Sequence, residues 1–164
     1  MLGWLGAQWW RRWKARDPIR KHPRGMEEKD PYRLNPVLLT RTEEACYRVL
    51  LAVVPPQHVI LAKVRLADLL QVNYGAADRA EAKARIGNKT IDFLDCDGSL
   101  TPKLAVNLLP AGADRAEVQT SEFIGRVCAK AGLALITLPV TVEYSEEDVK
   151  QRVAPHLSPM GIAA

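Results

Sequence analysis

The sequence predicts an α/β domain in which a small mixed sheet is flanked by helices on both faces. Residues 90–109 read as two strands around the turn-forming pair Asp97-Gly98. A long helical pattern and a further apolar strand follow this hairpin. The chain must cross over the sheet to reach that strand, so we expect both antiparallel and parallel neighbours in the sheet.

The elements before the hairpin are a helix, a strand and two shorter helical segments. The string LLTRTEEACYRVLLAVV predicts the first helix, because Thr40 and Glu43 form a capping box and Pro55-Pro56 ends the pattern. HVILAKVRL is rich in β-branched residues and predicts a strand. LADLLQV predicts a short helical turn, and GAADRAEAKARIGNK predicts a polar helix that ends near Gly87-Asn88.

The elements after the hairpin are a helix, a strand and a last helix. DRAEVQTSEFIGRVCAKAG predicts a long helix with Gly132 as its C-terminal stop. LALITLPVTV predicts an apolar strand, and SEEDVKQRVAPHL predicts a helix that is capped by Ser145 and ends at Pro155. The side chains of the long helix predicted to face the core are Val118, Phe123, Val127 and Cys128.

The net charge of +4 is unevenly distributed along the chain. Residues 1–24 hold seven basic residues and one acid, whereas the remaining 140 residues hold 16 basic and 18 acidic residues. The basic character therefore does not by itself indicate that the globular part binds nucleic acid. Composition divides the chain into a basic Trp-rich segment (1–24), a Pro-rich linker (25–38), the α/β domain (39–158) and a tail (159–164).

The N-terminal segment combines all four tryptophans with basic residues. Its apolar part ends near Trp13, which is too short for the ~20 apolar residues that span a bilayer, and it lacks the order of a signal peptide. Its composition suits an interfacial membrane helix, a helix that docks on a protein, an arm that binds nucleic acid, or a flexible leader. The residues predicted to dock are Trp4, Trp9, Trp10, Trp13, Arg11, Arg12, Lys14 and Arg16.

Cysteine and histidine usage predicts neither disulfides nor a metal site. His22, His58 and His156 lie far apart without ligands at metal spacing, so we predict no metal and no cofactor. Isolated thiols predict a reducing compartment, and hence the cytoplasm, with peripheral contact at the inner face of the membrane as an open alternative. The three cysteines, predicted to be buried and free, are Cys46, Cys96 and Cys128.

Five strings resemble, in order and spacing, the bacterial family called domain of unknown function 2726: LLTRTEEACYRVL, AKVRLADLL, RIGNKTIDFLDCD, LAVNLL and AGLALITLPV. The resemblance covers about residues 36–153. That family is similar to the PD-(D/E)xK restriction-endonuclease-like nucleases, which implies their core for the α/β domain. In that fold an Asp near the hairpin and an acid-x-Lys on the next strand bind Mg²⁺, which activates water for phosphodiester hydrolysis.

The resemblance implies that the nuclease site is degenerate. It aligns Asp92 with the first metal-binding carboxylate, although a solvated or turn-capping Asp is the alternative. Asn107 stands in place of the second carboxylate, and Leu109 in place of the usual Lys. An amide has a neutral oxygen acceptor but not the charge that binds a divalent ion, so this pair makes a poor Mg²⁺ site.

The resemblance also draws attention to Glu43 and to four basic residues. Glu43 stands where the family has a Glu that can add a metal ligand, but the capping box explains it equally well. Lys63 and Arg65 share a strand face, and Arg85 and Lys89 lie just before the hairpin. These four cations would form a basic mouth for a phosphate backbone, or else a solvated strand edge.

The leading hypothesis is a non-catalytic accessory protein with a degenerate nuclease-like domain. It would bind nucleic acid or a protein partner in a bacterial DNA-processing or mobile-element assembly, and its N-terminal segment would attach it to a larger protein assembly, to DNA or to a membrane surface. One alternative is an active Mg²⁺-dependent nuclease with an atypical site of Asp92, Asn107 and Glu43. Another is an interaction scaffold, anchored at a membrane surface, that does not contact nucleic acid.

Overall fold

The structure is a computed structural model that describes residues 34–75 and 77–157. All of its helices and strands lie in the compact unit Val37–Ala164, whereas the unit Met1–Pro36 falls almost entirely outside the described residues. The helices are α1 (Arg41–Val53), α2 (Leu66–Leu69), α3 (Arg79–Gly87), α4 (Arg115–Lys130) and α5 (Glu146–Leu157). The strands are β1 (Val59–Arg65), β2 (Thr90–Cys96), β3 (Pro102–Leu109) and β4 (Ala134–Pro139).

The strands form one mixed sheet in the order β1-β2-β3-β4. β1 pairs with β2, and β2 with β3, in antiparallel fashion. β4 lies parallel to β3, with Asn107 opposite Thr137, because α4 carries the chain back across the sheet. The predicted α/β class and the predicted mixture of strand directions are confirmed.

Helices cover both faces of the sheet, as predicted. On the face that we call the α1–α5 face, Cys46 and Leu50 of α1 and Val153 of α5 pack against Phe93 and Val106. The α3–α4 face is built by α2, α3 and α4. Its buried residues include Leu66, Ile86, Ile91, Leu94, Ala105, Ile124 and Cys128. The three cysteines are free and buried, which confirms that prediction. None of the helices in 34–75 and 77–157 is long and apolar enough to cross a membrane.

In both β1 and β2, the side chains that alternate along the strand switch from one face of the sheet to the other, and they do so at neighbouring positions. Ala62 packs on the α1–α5 face whereas Val64 packs on the α3–α4 face, although a regular strand would send both to one side. The residue between them is Lys63, which has a left-handed φ of 56°. Phe93 and Ile91 are divided between the faces in the same way, on either side of Asp92. The register pairs Ala62 with Phe93 and Val64 with Ile91, so the two irregular positions are neighbours.

The hairpin turn is longer than the Asp97-Gly98 pair suggested. Asp97 receives hydrogen bonds at its carboxylate from the backbone N–H groups of Ser99 and Thr101, at 2.9 and 3.0 Å. The residue in the left-handed region is Leu100, with φ 61°, and not Gly98. The Asp carboxylate therefore organises this turn by capping two backbone donors.

The predicted end of the last helix at Pro155 is wrong, because α5 continues to Leu157 with Pro155 inside it. Proline removes one backbone donor, and this loss costs little in the last turn, where few further intrahelical bonds depend on it.

A buried hydrogen bond between His58 and Asp95 joins the start of β1 to β2. His58 Nδ1 lies 2.9 Å from Asp95 Oδ2, and the two side chains are 8% and 2% exposed. Burial raises the pKa of the Asp95 carboxyl above its ordinary value, and contact with His58 offsets only part of that rise. Sequence reasoning assigned no role to His58, since its partner lies 37 residues away.

We expect Asp95→Ala to lower the free energy of unfolding by about 3 kcal/mol, because it leaves a buried His58 without its partner. Urea denaturation followed by circular dichroism measures this loss. Asp68→Ala is the matched control, since Asp68 is 67% exposed and its ion pair with Arg65 is long, at 4.0 Å. We expect this control to change the free energy of unfolding by about 0.5 kcal/mol or less. Equal losses in the two variants would contradict the prediction.

The turn geometry predicts that substitutions at Leu100 and Gly98 have different effects on the free energy of unfolding. Leu100→Gly should raise the free energy of unfolding by about 0.5–1 kcal/mol, because glycine adopts a positive φ without steric strain. Gly98→Ala should change it by less than about 0.5 kcal/mol, because the added Cβ would lie 3.4 Å from the nearest atom, Gln57 O, and φ is not left-handed. Thermal unfolding of both variants tests this assignment, which fails if Gly98→Ala is the more damaging change.

Candidate functional site

Two carboxylates and a lysine meet where α1, β1 and β2 come together. Lys63 donates a hydrogen bond from Nζ to Glu43 Oε1, and the same nitrogen lies 3.4 Å from Asp92 Oδ1. Glu43, Lys63 and Asp92 are 16%, 35% and 24% exposed at their side chains. We call this group the acid–lysine cluster. Its ammonium group bridges a helix and a strand that are far apart in the sequence.

The remaining carboxylate oxygens of the acid–lysine cluster are bound by backbone donors. Glu43 Oε2 accepts the N–H of Thr40 at 2.8 Å, so the predicted capping box is present and Glu43 belongs to both arrangements. Asp92 Oδ2 accepts the N–H of Leu108 at 2.8 Å, beyond the last β2–β3 pair, which joins Phe93 and Val106. Each of the four oxygens therefore has a donor from within the protein.

The charges of the cluster stabilise one another. Burial raises the pKa of Glu43, but hydrogen bonds from Lys63 and Thr40 and the charge of Lys63 outweigh it and hold that pKa below its ordinary value. Burial lowers the pKa of Lys63, but the contacts with Glu43 and Asp92 outweigh it and hold that pKa above its ordinary value. Both groups are therefore charged at neutral pH.

Lys63 adopts a left-handed backbone conformation, which costs about 1–2 kcal/mol for a residue with a Cβ. Its two ion-pair contacts compensate for this strain. The consequence is visible in the strand, because the left-handed residue is the point where β1 changes faces.

Asn107 is the second position at which the resemblance implied a metal ligand. It is 5% exposed, and within the described part of the chain its side-chain Oδ1 is buried without a hydrogen-bond partner. Strand alternation sets it on the same side of β3 as Ala105, on the α3–α4 face, whereas Glu43 belongs to α1 on the opposite face. The structure brings Glu43 and Asp92 together through Lys63, and Asn107 shares no such contact.

These residues do not fit a Mg²⁺ ion. Mg²⁺ requires free oxygen ligands in octahedral arrangement, and the oxygens of Glu43 and Asp92 already accept hydrogen bonds. Across residues 34–75 and 77–157, no three or more His, Cys, Asp or Glu side chains are grouped so that they could hold a metal ion. Leu109, which the resemblance aligned with the nuclease Lys, is the last residue of β3 and has an apolar side chain.

Three of the four predicted phosphate-binding cations lie close together at the C-terminal end of α3. Arg65 donates a hydrogen bond to Gly87 O at 3.1 Å, and Leu66 N–H donates to Lys89 O at 2.8 Å. Arg85 and Lys89 line one depression together with Arg126 of α4. We call Arg65, Arg85, Lys89 and Arg126 the basic surface. Lys63 is directed into the acid–lysine cluster instead.

The sequence did not identify Arg126 or its neighbour Phe123 as site residues. Phe123 was predicted to be buried, and it is partly buried, with the Arg85 guanidinium 5.0 Å from its ring centroid. No local signal pairs these residues, because Arg85 and Phe123 belong to different helices. The predicted docking residues of the N-terminal segment, Trp4 to Arg16, lie outside the described residues.

The acid–lysine cluster predicts a pH-dependent stability. A lowered pKa of Glu43 contributes stability above pH 4.5 that is lost as the pH falls, and a raised pKa of Lys63 contributes stability below pH 10.5 that is lost as the pH rises. Lys63→Met should therefore cost about 1–2 kcal/mol at neutral pH, and the cost should shrink at about pH 3. Urea denaturation at both pH values measures it.

Arg48→Met is the matched control for this experiment. Its ion pair with Glu44, at 2.6 Å, joins side chains that are 77% and 50% exposed, so we expect a loss of about 0.5 kcal/mol or less. A cost for Lys63→Met that stays constant from neutral to acid pH would contradict the charge interaction.

Comparison with known families assigns most of the described chain. The family model whose description reads "Protein of unknown function (DUF2726)" matches residues 35–156, which include every helix and strand except the last residue of α5. No curated protein and no solved structure matches the chain. The family match contains the acid–lysine cluster and the basic surface. The chain therefore belongs to the DUF2726 family of proteins of unknown function.

Proposed function

We propose that this chain is a non-catalytic accessory protein whose degenerate nuclease-like domain binds nucleic acid. The observation that carries the proposal is the acid–lysine cluster, in which the Lys63 ammonium group bridges the two carboxylates that a divalent cation would need. The Lys63 ammonium group has three donors and contacts both carboxylates, and backbone N–H groups bind their remaining oxygens. The same three residues then hold the sheet together instead of activating water.

Chemistry supports this reading of the cluster. Metal-assisted hydrolysis depends on a cation that polarises phosphate and lowers the pKa of bound water. A lysine ammonium has a single positive charge and no open coordination position, so it does neither. A Mg²⁺ ion would also have to compete with the N–H groups of Thr40 and Leu108 for Glu43 and Asp92. The restriction-endonuclease-like identity of the fold is part of the proposal and rests on the resemblance.

The basic surface supports nucleic acid as the partner. Residues 34–157 carry 14 basic and 15 acidic residues, so a cluster of cations on them is not a consequence of composition. Arg65, Arg85, Lys89 and Arg126 nevertheless lie around one end of α3. Clustered Arg and Lys neutralise successive phosphates and release their counterions, which is the main source of affinity for a nucleic acid backbone. The link to DNA-processing or mobile-element assemblies rests on the resemblance.

One observation favours a second candidate, an active nuclease. Glu43, Asp92 and Lys63 are the residue types of a phosphodiesterase site, and they lie in contact. If a metal displaced Lys63, the lysine could orient water or stabilise the developing anion. This candidate requires the ion pairs of the cluster to break when substrate and metal bind.

An incubation with metal ions separates the two candidates. We expect no cleavage of mixed single- and double-stranded DNA and RNA by the full chain with Mg²⁺ or Mn²⁺, because Lys63 and two backbone N–H groups already bind the oxygens of Glu43 and Asp92. Electrophoresis of labelled substrates provides the measurement. The Asp92→Ala variant is prepared in parallel, to identify any contaminating nuclease. Cleavage by the native chain that Asp92→Ala abolishes would show that the active-nuclease candidate is correct.

Binding is tested by the salt dependence of affinity for labelled oligonucleotides, measured by fluorescence anisotropy. Arg65→Ala and Lys89→Ala should each weaken binding and reduce the slope of log K against log salt by about 0.7–0.9, as expected for one lost phosphate contact. Arg48→Ala is the control, because Arg48 is an exposed arginine on α1, away from the basic surface.

A third variant measures the contribution of the N-terminal segment to binding separately from that of the domain. In the full chain, replacing Arg11, Arg12, Lys14 and Arg16 with Ala removes four charges from the segment and leaves the domain intact. If this change abolishes binding while Arg65→Ala and Lys89→Ala have no effect, the domain is not the nucleic-acid-binding part. Flotation of the full chain with anionic vesicles tests the alternative that the segment binds a membrane surface.

A further inference from the structure

Three open depressions follow one another along α3. Their volumes are about 360, 730 and 740 Å³, and they lie between residues 69–74, α3 and α4. The first and second share Leu70 and Ile86, and the second and third share Arg85 and Phe123. They therefore form one continuous surface, which we call the α3–α4 track.

The α3–α4 track is strongly basic. Among the described residues that line it, Glu122 is the one acid, and it lies 3.8 Å from Arg126. This surface therefore favours an anionic occupant. The cations that line the track are Arg79, Lys83, Arg85, Lys89, Arg126 and Lys130.

Two aromatic rings lie along the same track, each next to an arginine. Tyr74 is 89% exposed, and the Arg79 guanidinium lies 4.4 Å from its ring centroid. Phe123 has Arg85 at 5.0 Å from its own ring centroid. The Tyr74 ring is exposed and the Phe123 ring lines two of the depressions, so each offers a surface on which a base can stack, and the cations of the track can pair with the phosphates of the same strand. The carboxylates of an acidic peptide would pair with the cations, but they would gain nothing from the negative face of an exposed tyrosine ring.

We infer that the α3–α4 track binds single-stranded nucleic acid in preference to duplex. Bases stack on Tyr74 and Phe123, and phosphates pair with the cations of the track, including Lys83, Lys89 and Arg126. Duplexes hide the faces of their bases, so only an unpaired strand can use the rings. The inference rests on the proposed function and specifies the class of nucleic acid and the residues that read it.

The experiment compares three probes with the full chain by fluorescence anisotropy: a single-stranded oligonucleotide of mixed sequence, a hairpin duplex, and an abasic strand with the same number of phosphates. We expect the single strand to bind most tightly. Tyr74→Ala should weaken single-strand binding about 5- to 150-fold, the range for loss of one stacked base. It should change duplex and abasic binding by less than about 2-fold, because those probes do not stack on the ring.

Two further variants complete this experiment, the first as a control and the second as a test of the other ring. Tyr74→Phe keeps the ring and should bind the single strand as the native chain does. Phe123→Leu keeps an apolar side chain at a partly buried position, so the fold is preserved while the second platform is lost, and single-strand binding should again weaken selectively. Equal affinity for single strand and duplex, with no effect of Tyr74→Ala, overturns the inference but leaves the proposed function intact.

Two further outcomes have distinct meanings. If poly-glutamate competes as effectively as the single strand and Tyr74→Ala weakens neither, the track is a site for acidic polypeptides and the inference is overturned. If no nucleic acid binds even at low salt, the proposed function fails together with the inference. Selective loss of single-strand binding in Tyr74→Ala and Phe123→Leu, with retention in Tyr74→Phe, supports the inference.

Discussion

The ion pairs of Lys63 with Glu43 and Asp92 are the interaction on which the arrangement of this domain depends. They join the first turn of α1 to β1 and β2, and Asp92 extends the connection to β3 through the Leu108 N–H. The left-handed φ of Lys63 directs its ammonium group between the carboxylates and changes the face on which β1 packs. Local backbone strain is thus held by charge pairing at the point where four elements meet.

This cluster shows how two neighbouring carboxylates are stabilised by groups of the chain itself. Two neighbouring carboxylates without a cation would repel each other and raise each other's pKa. Lys63 supplies the positive charge from within the chain, and backbone donors saturate the remaining oxygens. The buried Asn107, by contrast, is neutral and creates no such requirement for a cation. Lys63 offsets one of the two carboxylate charges and is a permanent part of the fold, whereas metal binding depends on the ion concentration.

Positive and negative charges lie in different regions of the domain. α3 and α4 place their cations around the α3–α4 track, whereas α5 begins with Glu146, Glu147 and Asp148 in its first turn. Residues 34–157 hold nearly equal numbers of basic and acidic residues, so their total charge does not reveal that cations are clustered along the α3–α4 track. The potential at a surface depends on the charges within about 10 Å of it, which is why clustering matters more than composition.

The sequence by itself determined the local features of this protein. Capping residues, apolar periodicity and turn formers predicted the helices, the hairpin, the left-handed Gly132 after α4 and the three buried cysteines, because each depends on residues within one turn or strand. Only the tertiary structure decided the partners of Lys63 and His58. It also decided the contact between Arg85 and the Phe123 ring. These contacts span 20 to 38 residues and depend on strand register and helix packing, which no local pattern encodes.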